Sequence, residues 1–231
     1  MSVEIKSTLN EGLDGVKILV YGRTGSQKTR LIATAPRPII FSTDKGLLSL
    51  KGIDIPVIEI ESLDDFEKAF DHIGLAENIN KWDTLCIDDL SQLSRNIVLG
   101  YLSGKSNGGK KVHGQQAYGN MQMDMEKIVN NLLNIVGKNV YCIAKVDRVE
   151  DSLGQAQYTA KFEGQKLREY IPFKFDFFLY GYTVPDPNGG KFPLSQLRTV
   201  QDERYDAKDR TGKLDTVEFG DLNNLFTKAL T

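Results

Sequence analysis

The fold of this chain is decided by Val16-Lys17-Ile18-Leu19-Val20-Tyr21, followed directly by Gly22-Arg23-Thr24-Gly25-Ser26-Gln27-Lys28-Thr29. The first run is apolar and β-branched, which predicts a buried strand. The second is a glycine-bearing loop that ends in Lys-Thr, and the residues after it have helical character. Strand, loop and helix in this order predict a P-loop, in which backbone N–H groups hold the phosphates of a nucleotide.

All eight loop residues are candidate nucleotide-binding residues, and two of their side chains carry the chemistry. We expect Lys28 to reach the β- and γ-phosphates of ATP and the Thr29 hydroxyl to bind Mg²⁺. Gln27 stands where the pattern G-x-x-x-x-G-K-[ST] has its second glycine. Because a Cβ at this place hinders the approach of the backbone to the phosphates, we expect Gln27 to lower affinity, turnover or both.

Composition limits the classes of protein. A chain of 231 residues with 40% hydrophobic and 26% charged residues suits one globular α/β domain. The formal net charge of −2 leaves no global basic field, so any nucleic-acid contact requires a local patch. Cys86 and Cys142 lie in apolar runs and are expected to be buried, reduced thiols. No apolar run approaches the roughly 18–20 residues of a membrane span, and no signal-peptide pattern is present, so we expect a cytoplasmic protein without membrane contact.

Strands and helices alternate through the first two thirds of the chain. Strands are predicted over 38–43, 57–60, 83–89 and 140–146, with helices between them whose apolar residues recur at spacings of three and four. The Met-bearing stripe of the last of these helices indicates core packing. Residues 103–119 are rich in Gly, Lys, Ser, Asn and Gln and predict a mobile loop.

The remaining third predicts antiparallel structure. The polar stretch 147–166 is expected to be a loop with a hairpin around Gly154. Strands over 173–183 and 191–200 flank the turn signal Pro185-Asp186-Pro187-Asn188-Gly189-Gly190, and a helix ends the chain. We therefore predict one α/β domain over 1–231, with a mostly parallel sheet flanked by helices and a C-terminal hairpin. Its parts are an extension (1–15), a core (16–183), and the hairpin with the last helix (184–231).

Carboxylates follow two of the predicted strands. Asp88 ends the apolar run Leu85-Cys86-Ile87 and is the expected Mg²⁺ carboxylate, which makes this run a Walker B strand. Asp89 is the second choice for that role, or the N-cap of the next helix. Asp44 follows the strand over 38–43, which should lie near the P-loop strand, and it is the candidate for activating the attacking water. A solvated loop aspartate is the alternative for Asp44.

Three cations in the second half of the chain are candidates for contacts with the γ-phosphate. Lys145 ends the strand over 140–146, where it either senses the γ-phosphate or extends from a strand end into solvent. Lys208 and Arg210 form a Lys-x-Arg pair whose cations lie on the same side of an extended segment. In oligomeric ATPases such a pair stabilises transition-state charge in the neighbouring subunit. An ordinary solvated face is the alternative.

A basic segment points to single-stranded DNA. No Asp or Glu occurs from Leu90 through Met123, in a chain where acids outnumber bases. Lys105, Lys110 and Lys111 offer cations for phosphates, and Tyr118 offers a ring on which a base can stack. A flexible lysine loop without a ligand is the alternative.

Together these motifs resemble those of the RecA-like ATPases with AAA-type P-loops, and most closely the phage-encoded members that act in single-strand annealing or recombination. The matching residues are Gly22–Thr29, the strand ending at Asp88, Gln115-Gln116-Ala117-Tyr118-Gly119, and Lys208-Asp209-Arg210-Thr211-Gly212. The resemblance implies a RecA-type core with ATP and Mg²⁺ as cofactors. It also implies a homo-oligomeric ring or filament with shared active sites, single-stranded DNA as partner, a single-strand binding protein as a further partner, and the host-cell cytoplasm as location.

The sequence thus predicts a DNA-stimulated ATPase that promotes annealing or strand exchange. Two alternatives remain open. One is a nucleotide-binding assembly or regulatory protein with little hydrolysis, which Gln27 favours. The other is a P-loop kinase that acts on a small metabolite.

Overall fold

The computed structural model describes residues 14–106, 108–150, 154–190 and 193–231. The predicted extension over 1–15 thus falls outside the described residues except for Asp14 and Gly15. Lys191, the predicted first residue of the second hairpin strand, also lies outside them. No helix in the described ranges is both long and apolar enough to cross a membrane.

The centre of the sheet consists of parallel strands, as the alternation predicts. They stand in the order β7-β1-β5-β4-β2-β3. Their bounds are β1 Lys17–Gly22, β2 Pro38–Ser42, β3 Val57–Glu59, β4 Thr84–Asp88, β5 Asn139–Glu150 and β7 Phe177–Val184. β1, β4 and the first half of β5 are buried on both faces, which explains their continuous apolar runs.

Antiparallel strands extend this centre. They are β6 Ala156–Ala160, β8 Leu194–Arg198, β9 Lys208–Asp209 and β10 Val217–Phe219. β7 and β8 form the predicted C-terminal hairpin, β10 continues the sheet beyond β8, β9 pairs with β7, and β6 pairs with β5. The predicted fold class, a mostly parallel sheet flanked by helices with a C-terminal hairpin, is confirmed.

Helices cover both faces of the sheet. One core holds Leu19, Tyr21 and Ile87 against the apolar stripes of α2 Leu63–Gly74, α3 Leu90–Ser103, α4 Gly114–Leu133 and α5 Gln165–Lys174. The other core holds Ile18 and Val20 against α1 Lys28–Leu31 and α6 Leu222–Leu230. The methionines Met121 and Met125 are buried in the first core, so the prediction that this stripe packs in the core is confirmed. Cys86 and Cys142 are buried and free, as predicted.

Side-chain caps fix where three of these helices begin. The side chains of Ser62, Asp89 and Asp221 accept hydrogen bonds from the backbone N–H groups of the third residue after each. Gly104, with φ of 86°, ends α3 in the left-handed conformation, which glycine adopts without a Cβ clash. Since α3 begins directly after β4, its start is held at the same sheet edge as Asp88.

Several predicted boundaries are wrong. β5 runs on to Glu150 and pairs antiparallel with β6, so much of the predicted loop 147–166 is strand. Residues 151–153 of the hairpin predicted around Gly154 lie outside the described residues. Phe173, predicted as a strand residue, lies in α5. The loop predicted over 103–119 is shorter, because α4 begins at Gly114. Most of these residues, Phe173 included, are at least partly exposed, and tertiary pairing or packing decides their conformation.

The position predicted for the strand before Asp44 is also corrected. β2 does not neighbour the P-loop strand β1, because β5 and β4 lie between them. β2 pairs instead with β4, with Ser42 beside Asp88. Asp44 therefore approaches the carboxylate of the next strand rather than the P-loop itself.

Candidate nucleotide site

The P-loop occupies the carboxyl end of β1, the central buried strand. Gly22 closes the strand beside β7, where a Cβ would lie only 2.3 Å from the carbonyl oxygen of Gly181. Ser26 N donates to Arg23 O at 3.2 Å, which turns the chain back toward the helix. The predicted helix is short, since α1 covers only Lys28–Leu31 before a 3₁₀ turn. The loop backbone, rather than a long helix dipole, therefore forms most of the cradle.

Gln27 adopts a backbone conformation that favours glycine. Its φ is 63° in the left-handed region, where a side chain is usually unfavourable. Its Nε2 donates to the carbonyl oxygen of Pro193 at 2.7 Å, so the side chain points toward the β7–β8 turn. Sequence reasoning missed this contact, because its partners are 166 residues apart and no local pattern connects them.

Lys28 folds back into the loop. Its Nζ donates to Gly22 O at 2.8 Å, to Arg23 O at 2.9 Å and to Ser26 Oγ at 3.2 Å. Burial lowers the pKa of this ammonium, against the opposing attraction of Asp88 and Asp89. The positive charge is therefore held inside the cradle by neutral oxygens, which an anionic phosphate can replace.

Thr29 and Asp88 meet across the sheet edge. Thr29 Oγ1 donates to Asp88 Oδ2 at 2.7 Å, although the residues are 59 apart in sequence. Burial raises the pKa of Asp88 to about 6, helped by repulsion from Asp89 and Asp44, whereas the Thr29 hydrogen bond lowers it. A hydroxyl and a carboxylate oxygen at this distance fit Mg²⁺, which prefers hard oxygen ligands and keeps several waters.

Asp89 has a structural partner of its own. Its Oδ1 accepts from Gln92 N at 2.5 Å, so it caps α3, as one of the two predicted roles requires. Burial raises the pKa of Asp89. Its other oxygen, Oδ2, lies 3.6 Å from Lys145 Nζ.

Asp44 is exposed at the same edge of the sheet. Its Oδ1 accepts from Gly46 N at 3.0 Å, the bond of a short turn. Thr43, the residue before it, donates through its backbone N to Asp88 O at 2.8 Å. Asp44 thus stands next to the Asp88 strand end, in a position to face solvent water beside the cradle.

The basic segment lies between α3 and α4. Lys105, Lys110 and Lys111 are all exposed, and Tyr118 projects from the first turns of α4 with 43% of its surface accessible. A cavity of about 1060 Å³ lies between α2 and α3, and its lining includes Asp44 and Lys105 together with the carboxylates of Glu61, Asp64, Asp65 and Glu67. Of the three candidate lysines, Lys105 thus shares this cavity with Asp44.

Lys208 and Arg210 lie elsewhere. β9 pairs with the first residues of β7, beside Ile18 of β1, whereas the P-loop begins at the other end of β1, about 13 Å along the strand. Lys208 Nζ donates to Phe173 O at 3.0 Å. Arg210 Nη2 donates to the same carbonyl at 2.9 Å. Both cations thus lie on one side of their segment, as predicted, and bind the end of α5. Within one chain they do not join the phosphate cradle.

Arg210 also forms an ion pair at this edge. Its Nη1 lies 3.2 Å from Asp176 Oδ1, and the other oxygen of Asp176 accepts from Lys17 N. Burial lowers the pKa of Lys208 to about 8, helped by repulsion from Arg210. These contacts fasten the amino end of β7 to β1 and α5.

Comparisons with known proteins identify one matching family and similar solved structures. A family described as an AAA domain matches residues 14–211, which include the P-loop, Asp88 and the Lys-x-Arg pair. Among solved structures, a KaiC-like protein from the hyperthermophilic archaeon Pyrococcus horikoshii OT3 is similar at 12% identity, with a TM-score of 0.43, over 81% of this chain and 79% of that chain. No curated protein matches this chain. Because the family covers most of the sequence together with the Lys28–Thr29–Asp88 cradle, this chain belongs to the AAA domain family of P-loop proteins.

Proposed function

We propose that this chain is an Mg²⁺-dependent ATPase that binds single-stranded DNA and promotes its annealing or strand exchange. The observation that carries the nucleotide part is the hydrogen bond between Thr29 and Asp88 directly beside Lys28. It joins the P-loop hydroxyl to a buried carboxylate, which is the arrangement that a nucleotide with its metal ion requires. ATP and Mg²⁺ are thus the proposed ligands.

Each residue of the site has its own role in the proposed hydrolysis. Lys28 leaves the carbonyl oxygens of its own loop and binds the β- and γ-phosphate oxygens. Thr29 and Asp88 would hold Mg²⁺, which would neutralise charge on those oxygens. Asp44 orients the water that attacks the γ-phosphorus, so that ADP leaves and the proton of the water passes to the carboxylate.

A Lys28→Ala variant tests the nucleotide part. We expect it to lose ATP binding and turnover, since Lys28 supplies the charge in the cradle. Calorimetry measures ATP affinity, phosphate release measures turnover, and circular dichroism verifies the fold. The exposed Lys51→Ala is the matched control. ATP affinity that is equal in Lys28→Ala and the control contradicts the proposal.

The DNA part rests on the basic segment. Lys105, Lys110 and Lys111 are exposed in a segment without acids, and Lys105 shares a groove with the proposed water-orienting Asp44. A single strand bound at Lys105 would pass near Asp44. This proximity provides a route by which DNA stimulates turnover.

The triple change of Lys105, Lys110 and Lys111 to Ala tests this part. Each phosphate contact contributes about 0.7 to the salt dependence of single-strand binding on a log–log scale, so the triple variant should lower the slope by about 2. Fluorescence anisotropy with an oligothymidylate at several salt concentrations measures this slope. ATP binding without DNA should stay unchanged. An unchanged slope contradicts the proposed interface.

A charge-matched control separates this effect from a general loss of positive charge. The triple change of Lys51, Lys81 and Lys166 to Ala removes three lysines from other parts of the surface. We expect it to retain the DNA affinity and the slope of the wild type.

A regulatory protein with little hydrolysis is the second candidate. It is favoured by Gln27, whose side chain stands in the left-handed position of the loop and bonds to Pro193. Tight ATP binding without phosphate release, with and without DNA, supports this candidate over the ATPase.

A further inference from the structure

Ser42 ends β2 with a buried hydroxyl that has no hydrogen-bond partner among the described residues. The residue is only 2% exposed. Its Oγ is one of four buried side-chain atoms without a partner in the described part of the chain, and the others belong to Arg168, Ser195 and Arg198. A buried hydroxyl that has lost its water and gained no partner costs free energy. A water or an ion that binds beside it is one explanation for such an atom.

Ser42 lies beside Asp88 on the same face of the sheet. The two residues are paired in the parallel register of β2 and β4. Two residues earlier in each strand, Ile40 and Cys86 belong to the core that contains α1, and side chains two apart in a strand share a face. The Ser42 hydroxyl is therefore on the α1 side of the sheet, where Thr29 donates to Asp88.

The end of β2 is fixed against the end of β4. Thr43 N donates to Asp88 O at 2.8 Å. The Thr43 hydroxyl donates to Asp89 O at 2.9 Å and accepts from Asp89 N at 2.8 Å. These bonds hold the backbone of Ser42 next to the Asp88 carboxylate, so that rotation of its own side chain is what redirects its Oγ.

Other hydroxyls at this edge of the sheet already have partners. Ser26 Oγ accepts from Lys28 Nζ at 3.2 Å, and Ser91 Oγ donates to Lys161 O at 2.6 Å. Ser42 differs from them, because both its donor and its acceptor capacity are unused within the described residues.

The chemistry of magnesium provides partners for such a hydroxyl. Mg²⁺ demands octahedral oxygen coordination and keeps several waters where a protein supplies only one or two ligands. Those waters donate hydrogen bonds in turn. A serine hydroxyl can accept one of these bonds and donate its own proton to a carboxylate oxygen.

We propose that Ser42 is a positioning residue of the metal site, which accepts a hydrogen bond from a water on Mg²⁺ and donates to the Asp88 carboxylate. This inference rests on the proposed nucleotide binding. Ser42 Oγ gains its partners when Mg²⁺ and ATP bind, and these hydrogen bonds contribute to the affinity for the metal.

The test measures ATP affinity by calorimetry, with Mg²⁺ and with a chelator, in the wild type and in Ser42→Ala. The ratio of the two affinities is the contribution of the metal. We expect this ratio to fall about fivefold in the variant, which corresponds to about 1 kcal/mol, the usual contribution of one hydrogen bond. ATP affinity in the chelator should change little. Ser42→Thr keeps the hydroxyl and should retain most of the ratio.

Urea unfolding without nucleotide separates this role from a structural one. Since Ser42 Oγ has no partner within the described chain, Ser42→Ala should be at least as stable as the wild type. Ser94 provides the contrast, because it is buried and its Oγ donates to Ser91 O at 2.8 Å, so Ser94→Ala should be less stable. A Ser42→Ala variant that loses stability, and loses ATP affinity equally with and without Mg²⁺, overturns the proposal.

Ser195→Ala is the matched control. Ser195 Oγ is also shielded from solvent and lacks a partner among the described residues. It lies on β8, which β7, β1 and β5 separate from β4. We expect Ser195→Ala to leave the contribution of Mg²⁺ to ATP affinity unchanged, and an equal fall in both serine variants contradicts a specific role of Ser42.

Failure of this inference can be told apart from failure of the proposed function. A wild-type protein that binds no ATP, or binds it equally well with Mg²⁺ and with the chelator, contradicts the proposed function itself. A wild-type protein whose ATP affinity depends on Mg²⁺, by the same ratio as in Ser42→Ala, overturns only the role of Ser42.

Discussion

Replacing Asp88 by asparagine is expected to stabilise the nucleotide-free protein at neutral pH while weakening its Mg²⁺-dependent nucleotide binding. Asp88 is only 5% exposed, and burial raises its pKa to about 6. A buried ionised carboxylate costs free energy that a neutral amide does not. Asparagine has nearly the same shape and can still accept the hydrogen bond from Thr29.

The magnitude follows from the pKa. The value of about 6 lies about two above the ordinary 3.8, and at about 1.4 kcal/mol per pKa unit this corresponds to about 3 kcal/mol of unfolding free energy. Below pH 4 the carboxyl is protonated in both the folded and the unfolded chain, and there is no penalty. Between about pH 4 and 6 the unfolded chain ionises first, so the stability of the wild type falls as the pH rises. Above pH 6 the loss levels off.

The assay is urea unfolding at several pH values in nucleotide-free buffer with a chelator. Trp82 is the single tryptophan and is only 3% exposed, so its fluorescence reports the transition. We expect the unfolding free energy of Asp88→Asn to exceed that of the wild type. The difference should grow from pH 4 to pH 6 and then stay constant. The exposed Asp54→Asn is the control. Equal unfolding free energies of the two proteins at pH 7, or a difference that does not depend on pH, contradict this prediction.

The same variant should respond less to ligand. Mg²⁺ with ATP stabilises the wild type by binding the folded state alone, and an amide oxygen replaces the carboxylate poorly as a Mg²⁺ ligand. When Mg²⁺ and ATP are added, the stability advantage of Asp88→Asn over the wild type should therefore shrink or reverse.

Two further predictions concern the loop and the subunit boundary. Gln27→Gly should bind ATP more tightly in calorimetry, because it removes a Cβ from a left-handed position. Gln27→Ala should not, because it loses the bond to Pro193 but keeps the Cβ, and an equal gain of ATP affinity in both variants contradicts the prediction. Arg210→Ala should keep ATP binding but lose most hydrolysis, as expected of a charge supplied to a neighbouring subunit. Mixing Arg210→Ala subunits with Lys28→Ala subunits should restore some phosphate release. No recovery in confirmed mixed assemblies indicates that Arg210 only holds Asp176 and α5.

Local patterns were sufficient to identify the strands of the central sheet, though not their order. The run Val16–Tyr21 is apolar without interruption because β1 is buried on both faces, and the glycine loop after it could be placed from sequence alone. Asp88 followed from the same logic, since an acid directly after a buried strand must lie at the sheet edge. Its hydrogen bond with Thr29 agrees with that placement.

The type of each element and the residues at its ends can be read from the chain, since periodicity and loop chemistry are local properties. The neighbours of each strand depend on the tertiary structure. It placed β5 and β4 between β1 and β2, brought Lys145 beside Gly22, turned Gln27 toward Pro193, and set Lys208 and Arg210 at the far edge. These contacts join residues far apart in the chain, and their selection depends on how whole faces pack, which no short window of sequence contains.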